Sequence, residues 1–172
     1  MTKTKHKGLA ASLAIIAVIL ILDQVLKIWV KTHMALGEEI PILGNFFKLQ
    51  FIENPGMAFG MLGNGGIVKL LLSIFRIVAV IALFYVLFRL TKKGTKFGVL
   101  VGIALITAGA LGNIIDCVFY GKAFHYAGWL QGQVVDMFSF SIFPPIFNFA
   151  DAAITVGVFY MIIFQWKWLK SL

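Results

Sequence analysis

Four aspartates, Asp23, Asp116, Asp136 and Asp151, are the only ones in 172 residues, and each lies in or beside a strongly apolar stretch. Ionisable side chains at membrane depth are costly, face the bundle interior and mark functional sites. Two carboxylates that meet in a partly desolvated pocket share one proton. The ionised member can then activate water, while the protonated member donates to a carbonyl and to a leaving nitrogen. Local spacing brings polar partners to these acids. Asp23 and Lys27 in "DQVLK" are four apart and share a helix face. Asn113 and Asp116 in "GNIID", and Asn148 and Asp151 in "FNFAD", are three apart, which sets an amide beside each acid. Gly109, Ala110 and Gly112 on one helix, with Ala150, Ala152 and Ala153 on another, permit close backbone approach.

Each acid also has a purely structural reading, and spacing leaves both open. Asp23 with Lys27 reads as an ion pair, and Asp116 with Asn113 as a helix-packing bond. Asp136 reads as a solvated interfacial acid, and Asp151 as a helix cap or first-turn acid favoured by the dipole. Other chemistries have less support. There is no Gly-x-Ser-x-Gly and no His-Glu-x-x-His, and His6, His33 and His125 are scattered, so neither a metal nor a cofactor is expected. A Cys117–His125 nucleophile pair competes with a lone cysteine that serves as small apolar filler.

The elements that position these residues follow from composition. The chain is 60% hydrophobic and 13% charged, with a mean hydropathy of +0.95, which places it among integral membrane proteins. Four apolar runs, 9–30, 67–90, 97–119 and 147–166, approach the ~20 residues needed to cross a bilayer as helix. A cleaved signal peptide is the alternative for the first run. However, no small-x-small pattern closes the apolar stretch just ahead of Asp23, and apolar residues continue through "VLKIWV".

Cations fix the orientation. Lys3, Lys5 and Lys7 precede the first run; Arg89, Lys92, Lys93 and Lys96 follow the second; Lys167 and Lys170 follow the fourth. Both termini are thereby expected in the cytoplasm, and segments 31–66 and 120–146 outside. All four aspartates then fall at the outer level. The net charge of +8 needs no nucleic-acid partner; it suits anionic membrane lipids. Between the first two runs, "FFKLQFI" followed by Asn-Pro-Gly reads as a small β-rich lobe. Segment 120–146 reads as an interfacial element whose Pro-Pro pair gives a rigid entry into the fourth helix. The fold class expected is an all-α membrane protein of four helices with a small β-rich extracytoplasmic lobe, one domain over 1–172.

The ordered blocks "DQVLK", "NPGMAFG", "GNIID", "VVDMFSF" and "FNFADAAITVG" resemble the lipoprotein signal peptidase family, signal peptidase II, over nearly the whole chain. The resemblance implies an aspartyl endopeptidase of the bacterial cytoplasmic (inner) membrane, monomeric, with its site near the outer face. It would remove the signal peptide from diacylglyceryl-modified prolipoproteins, cutting before the lipidated cysteine. It maps the catalytic pair onto Asp136 and Asp151, and supporting positions onto Asn54, Asn113, Asp116, Asn148, Asp23 and Lys27. One position departs: Cys117 stands where the family's third block continues with arginine, and Arg76, an intramembrane cation, is a candidate to replace it. The rival class is a small polytopic proton or ion carrier, which would need acids spaced through the membrane depth.

Overall fold

The computed structural model describes residues 2–55 and 66–171. Of the "NPGMAFG" block, residues 56–60 lie outside the described residues. Among the described residues three helices are long and apolar enough to cross a membrane: α1 (Thr2–His33), α2 (Gly66–Lys93) and α3 (Phe97–Ile115), the last continued by a π-helical turn, Asp116–Tyr120, and a short α4 (Gly121–Ala123). The fourth apolar run forms α5 (Phe149–Phe164). At 16 residues and ~1.5 Å per residue it is shorter than a full span. Gln165 ends it, and a single turn, α6 (Trp166–Leu169), follows.

The segments that flank α2 and α3 in sequence, 34–55 and 124–148, hold more strand than expected. β1 (Glu39–Leu43), β2 (Phe47–Asn54), β3 (Val134–Phe140) and β4 (Phe143–Phe147) make one antiparallel sheet in the order β1-β2-β3-β4. The "VVDMFSF" block is therefore a strand, and Pro144 and Pro145 lie in β4, at the open edge of the sheet rather than in a helical turn. Proline lacks the N–H that an interior strand must donate, so an edge is where it fits. An all-α description is thus corrected to mostly helical with a four-stranded sheet.

Two apolar clusters hold the parts together. Ile16 of α1, Leu87 of α2, and Leu100, Ala104 and Ala108 of α3 pack in the bundle. Val135 and Met137, on one face of β3, pack with Val30, Met34, Phe51 and Tyr120. This second cluster fastens the sheet to the end of α1. Because side chains alternate along a strand, burying Val135 and Met137 turns Asp136 to the opposite face. There Phe138 and Phe140 continue the row: Phe140 stacks with Phe47 and Phe147 from the flanking strands, and Phe138 meets the same two rings tilted and edge-on. The outward surfaces of α1, α2 and α5 are lined with exposed apolar side chains, including Val25, Phe75, Ile81, Phe159 and Ile163. A continuous band of this kind is stable against lipid, not water.

Helices α3 and α5 meet through small residues. A Cβ on Gly109 would collide with the Ala150 carbonyl, and one on Gly112 would lie 2.7 Å from Asp23 Oδ2. The glycines are thus required by close approach, which is what carries the two polar blocks into contact. Gly109→Ala is expected to lower the melting temperature of the detergent-purified protein, at an overpacking cost of about 1–3 kcal/mol. An unchanged melting curve would show that the helices do not need this contact.

Candidate active site

The site is built around Lys27, which is fully buried in α1. Its ammonium has three protons and three partners: Asp23 Oδ2 at 3.0 Å, Asp116 Oδ2 at 2.8 Å and Asn113 Oδ1 at 2.9 Å. Asp23 and Asp116 are also fully buried. Each also accepts from backbone: Asp23 Oδ1 from Ala150 N at 2.9 Å, and Asp116 Oδ2 from Val135 N at 3.2 Å. Gln24 completes the ring by donating to Asp23 and Asp116, and accepts from the Tyr120 hydroxyl. Among the described residues no buried side-chain polar atom lacks a partner. That completeness is what makes two anions and a cation tolerable in an apolar interior.

From this core, amides reach outward. Asn113 Nδ2 donates to Asp151 Oδ1 at 2.7 Å, while Asn148 Nδ2 donates to Asp136 Oδ1 at 2.7 Å and to Asn113 Oδ1 at 3.1 Å. The two amides thus form a bridge with one acid at each end. Asn54 approaches from β2 and donates to Asp136 Oδ2 at 3.1 Å. It pairs across the ladder with Val134, two residues from Asp136 and on the same face, so the diagonal contact follows from register. Asn148 is the N-cap of α5: its Oδ1 accepts from Asp151 N, and Asp151 Oδ2 accepts from Asn148 N, a reciprocal capping box. Asp23 serves the same helix end, taking the Ala150 N–H that no intrahelical carbonyl can satisfy.

Asp136 is 2% exposed whereas Asp151 is half-buried. Burial pushes the Asp136 carboxyl up to about 6; hydrogen bonds from Asn54 and Asn148 oppose the rise, and the Asp151 charge adds to it. One acid is therefore disposed to keep a proton while its neighbour is more accessible. Among the described residues no cluster of His, Cys, Asp and Glu has the arrangement of a metal site.

All eight sequence-designated residues come together, with one change in pairing. Asn113 does not sit against Asp116, three residues on; it turns to Asp151 and Lys27 instead. The π turn that starts at Asp116 is a local departure from α-helical spacing, of a kind common at functional sites. Cys117 and His125 form no pair: the thiol is buried against Arg76, whose Nη1 lies 3.0 Å from Sγ. Arg76 thus reaches the residue after Asp116, while the Asp116 oxygens are held by Lys27, Gln24 and Val135. Sequence reasoning missed Gln24 and Tyr120. Gln24 follows Asp23 within "DQVLK", and its polarity in a membrane helix was the available signal; Tyr120 offered none.

Paired carboxylates bridged by amides in a polytopic apolar bundle have the chemistry that an intramembrane aspartic peptidase requires. The family model described as signal peptidase (SPase) II matches residues 15–167. The lipoprotein signal peptidase of Porphyromonas gingivalis is 39% identical, over 87% of this chain and 80% of the relative. That of Clostridioides difficile strain 630 is 41% identical, over 87% and 90%. A solved bacterial membrane enzyme superposes with a TM-score of 0.70 at 32% identity, covering 92% of this chain and 88% of that one. The chain belongs to the signal peptidase II family. It is a membrane protease that removes signal peptides from prolipoproteins, and the comparisons give no support to the ion-carrier alternative.

The ion cluster has a measurable signature. Lys27→Met leaves two buried carboxylates without their cation and is expected to cost about 3–5 kcal/mol. Adding Asp116→Asn removes one stranded charge, so the double variant should be less destabilised than the sum of the single changes. Thermal unfolding of the four proteins in detergent measures the cycle; additive losses would mean that Lys27 and Asp116 do not interact.

Proposed function

We propose that Asp136 and Asp151 are the catalytic pair of one membrane peptidase domain spanning 1–172, acting on diacylglyceryl-modified prolipoproteins just before the lipidated cysteine. The observation that carries this reading is the Asn148–Asn113 bridge, which ties each acid to the other through hydrogen bonds of 2.7, 3.1 and 2.7 Å. Asp136, more deeply buried, holds the shared proton and donates to the scissile carbonyl oxygen. Asp151, ionised, takes a proton from the attacking water. The tetrahedral intermediate then collapses as the amide nitrogen receives a proton from the pair. Asn54, Asn113 and Asn148 hold the two carboxyl groups apart and in place, and Asp23, Lys27 and Asp116 hold the amides.

In this reading α5 and α6 cross the membrane together as a fourth span. Trp166 and Trp168, interleaved with Lys167 and Lys170, suit the cytoplasmic headgroup level. The basic stretch Arg89 to Lys96 faces the same side, both termini are cytoplasmic, and the sheet and segment 120–133 lie at the outer surface of the inner membrane. A substrate bearing an apolar signal helix and acyl chains reaches the outer interface by lateral diffusion, among membrane lipids and as a partner of a monomeric enzyme.

Asp136→Asn and Asp151→Asn should each abolish cleavage of a diacylated prolipoprotein by the purified protein, without lowering its melting temperature by more than a few degrees. Full turnover in either variant removes that residue from the mechanism. The raised Asp136 carboxyl also sets a pH dependence. As pH rises through about 6 the free enzyme loses the proton it must donate, so kcat/KM should fall across that range, with an apparent midpoint that belongs to the pair. Substrate excludes more water and lifts the carboxyl further, so the corresponding fall in kcat should lie at higher pH. A kcat/KM flat from pH 5 to 8 would contradict the assignment of Asp136 as the acid.

A further inference from the structure

A cavity of about 490 Å³ lies between the β3–β4 hairpin and the outward face of α5. Phe140, Phe143 and Phe147 line the hairpin side, and Ala152, Thr155 and Val156 the helix side, with Asp151 among its walls. Positions 151, 152, 155 and 156 fall on one helix face, and Asp151 is the first of them. The cavity is therefore a trough that begins at the carboxylate and runs down α5 for a full turn. Thr155 and Asp151 are the only polar side chains among these. Val156 is 58% exposed and Phe143 50%, so the trough is open along its side toward the same apolar band that faces lipid.

Its position relative to the acids selects an occupant. In the reaction proposed above, on which this inference rests, the residue after the scissile bond is a cysteine whose thioether carries a diacylglyceryl group. The acyl chains consequently begin only a few bonds from the amide nitrogen. A site that holds this amide at Asp136 and Asp151 must accept the start of a chain beside Asp151, and the trough starts there. We propose that the trough seats one acyl chain of the substrate's diacylglyceryl group. The signal helix fits it poorly. A helix ~10–12 Å across with a 5.4 Å pitch would fill a space of this volume with about one turn, whereas an unbranched chain lies along it.

Lipid tails are as apolar as the trough, so a chain moving into it from the bilayer gains little from burial. The trough acts by position: it fixes the lipidated cysteine, and hence the amide, relative to the acids. Small misplacements of reacting atoms reduce rates by up to ~10²-fold. A trough that is filled should therefore reduce kcat/KM without unfolding the protein.

The test uses a diacylated prolipoprotein with a diazirine midway along its acyl chains, and the full-length protein in nanodiscs of phosphatidylethanolamine and phosphatidylglycerol. Cleavage by the wild-type protein comes first; if it fails, the proposed reaction falls and the trough assignment with it. The Asp136→Asn variant is then irradiated with the same substrate, and adducts are mapped by mass spectrometry. Adducts at Phe143, Thr155 or Val156 that excess unlabelled diacylated substrate removes are the expected result. Adducts confined to other residues, adducts that unlabelled substrate does not displace, or labelling of these residues only from a diazirine in the signal segment would each overturn the trough assignment and leave the reaction standing. Independently, Thr155→Trp should lower kcat/KM at least tenfold at an unchanged melting temperature, and wild-type kcat/KM in that variant would also overturn it. Should the tryptophan variant not fold, the adduct map decides.

Discussion

The buried ammonium of Lys27 is the constraint on which the rest of the site depends. A lone cation in an apolar interior is untenable, and so are lone carboxylates; each exists here because the others complete its valences. Satisfying all of them requires α1 and α3 to come within contact of each other and of the start of α5. Asp23 takes the Ala150 N–H, and Asp116 takes that of Val135, so the same cluster also fixes one helix end and one strand. An electrostatic requirement is thereby converted into the relative placement of four chain segments.

Placement of the acids follows from that frame. Asn113 is held at its oxygen by Lys27 and by Asn148, which leaves its Nδ2 directed at Asp151. Asn148 is immobilised as a helix cap while its own Nδ2 reaches Asp136. The orientation of both amides is thus dictated by the Lys27 ammonium and by the cap of α5. Rigid support of this kind is what an acid–base pair requires, because proton transfer depends on tenths of an ångström. Burial separates acids that a spacing rule alone would confuse: Asp23 and Asp116 are fully buried, whereas half-buried Asp151 lines the apolar trough.

The sheet contributes in a way a helical bundle could not. Alternation along β3 buries Val135 and Met137 beneath it and presents Asp136 on the other face, beside the aromatic row of Phe138 and Phe140. Burial there raises the Asp136 carboxyl, and the hydrogen bonds from Asn54 and Asn148, with the Lys27 charge, oppose the shift. The same pleat delivers Asn54 from the neighbouring strand without any further device. A short strand thus sets both the environment of one acid and the contact that tempers it.

Several of these properties were legible in the residues themselves. Membrane residence, the approximate helix positions, the pairing of Asp23 with Lys27 and the proximity of Asn148 to Asp151 all follow from hydropathy and from spacing within one helix, which are local quantities. The resemblance of five ordered blocks added the family and singled out Asp136 and Asp151. Tertiary structure alone decided which partner each group takes. Asn113 abandons its neighbour Asp116 for Asp151 because Lys27, fixed from another helix, already occupies the Asp116 oxygen and the Asn113 oxygen. Pro144 and Pro145 read locally as a helix entry, yet become an edge strand because β3 offers a ladder that only long-range contact reveals. Tyr120 and Gln24 enter the site through a π turn and a cross-helix hydrogen bond, neither of which has a periodicity to read. Local chemistry determines what a residue can bind; only packing determines which of the competing partners arrives.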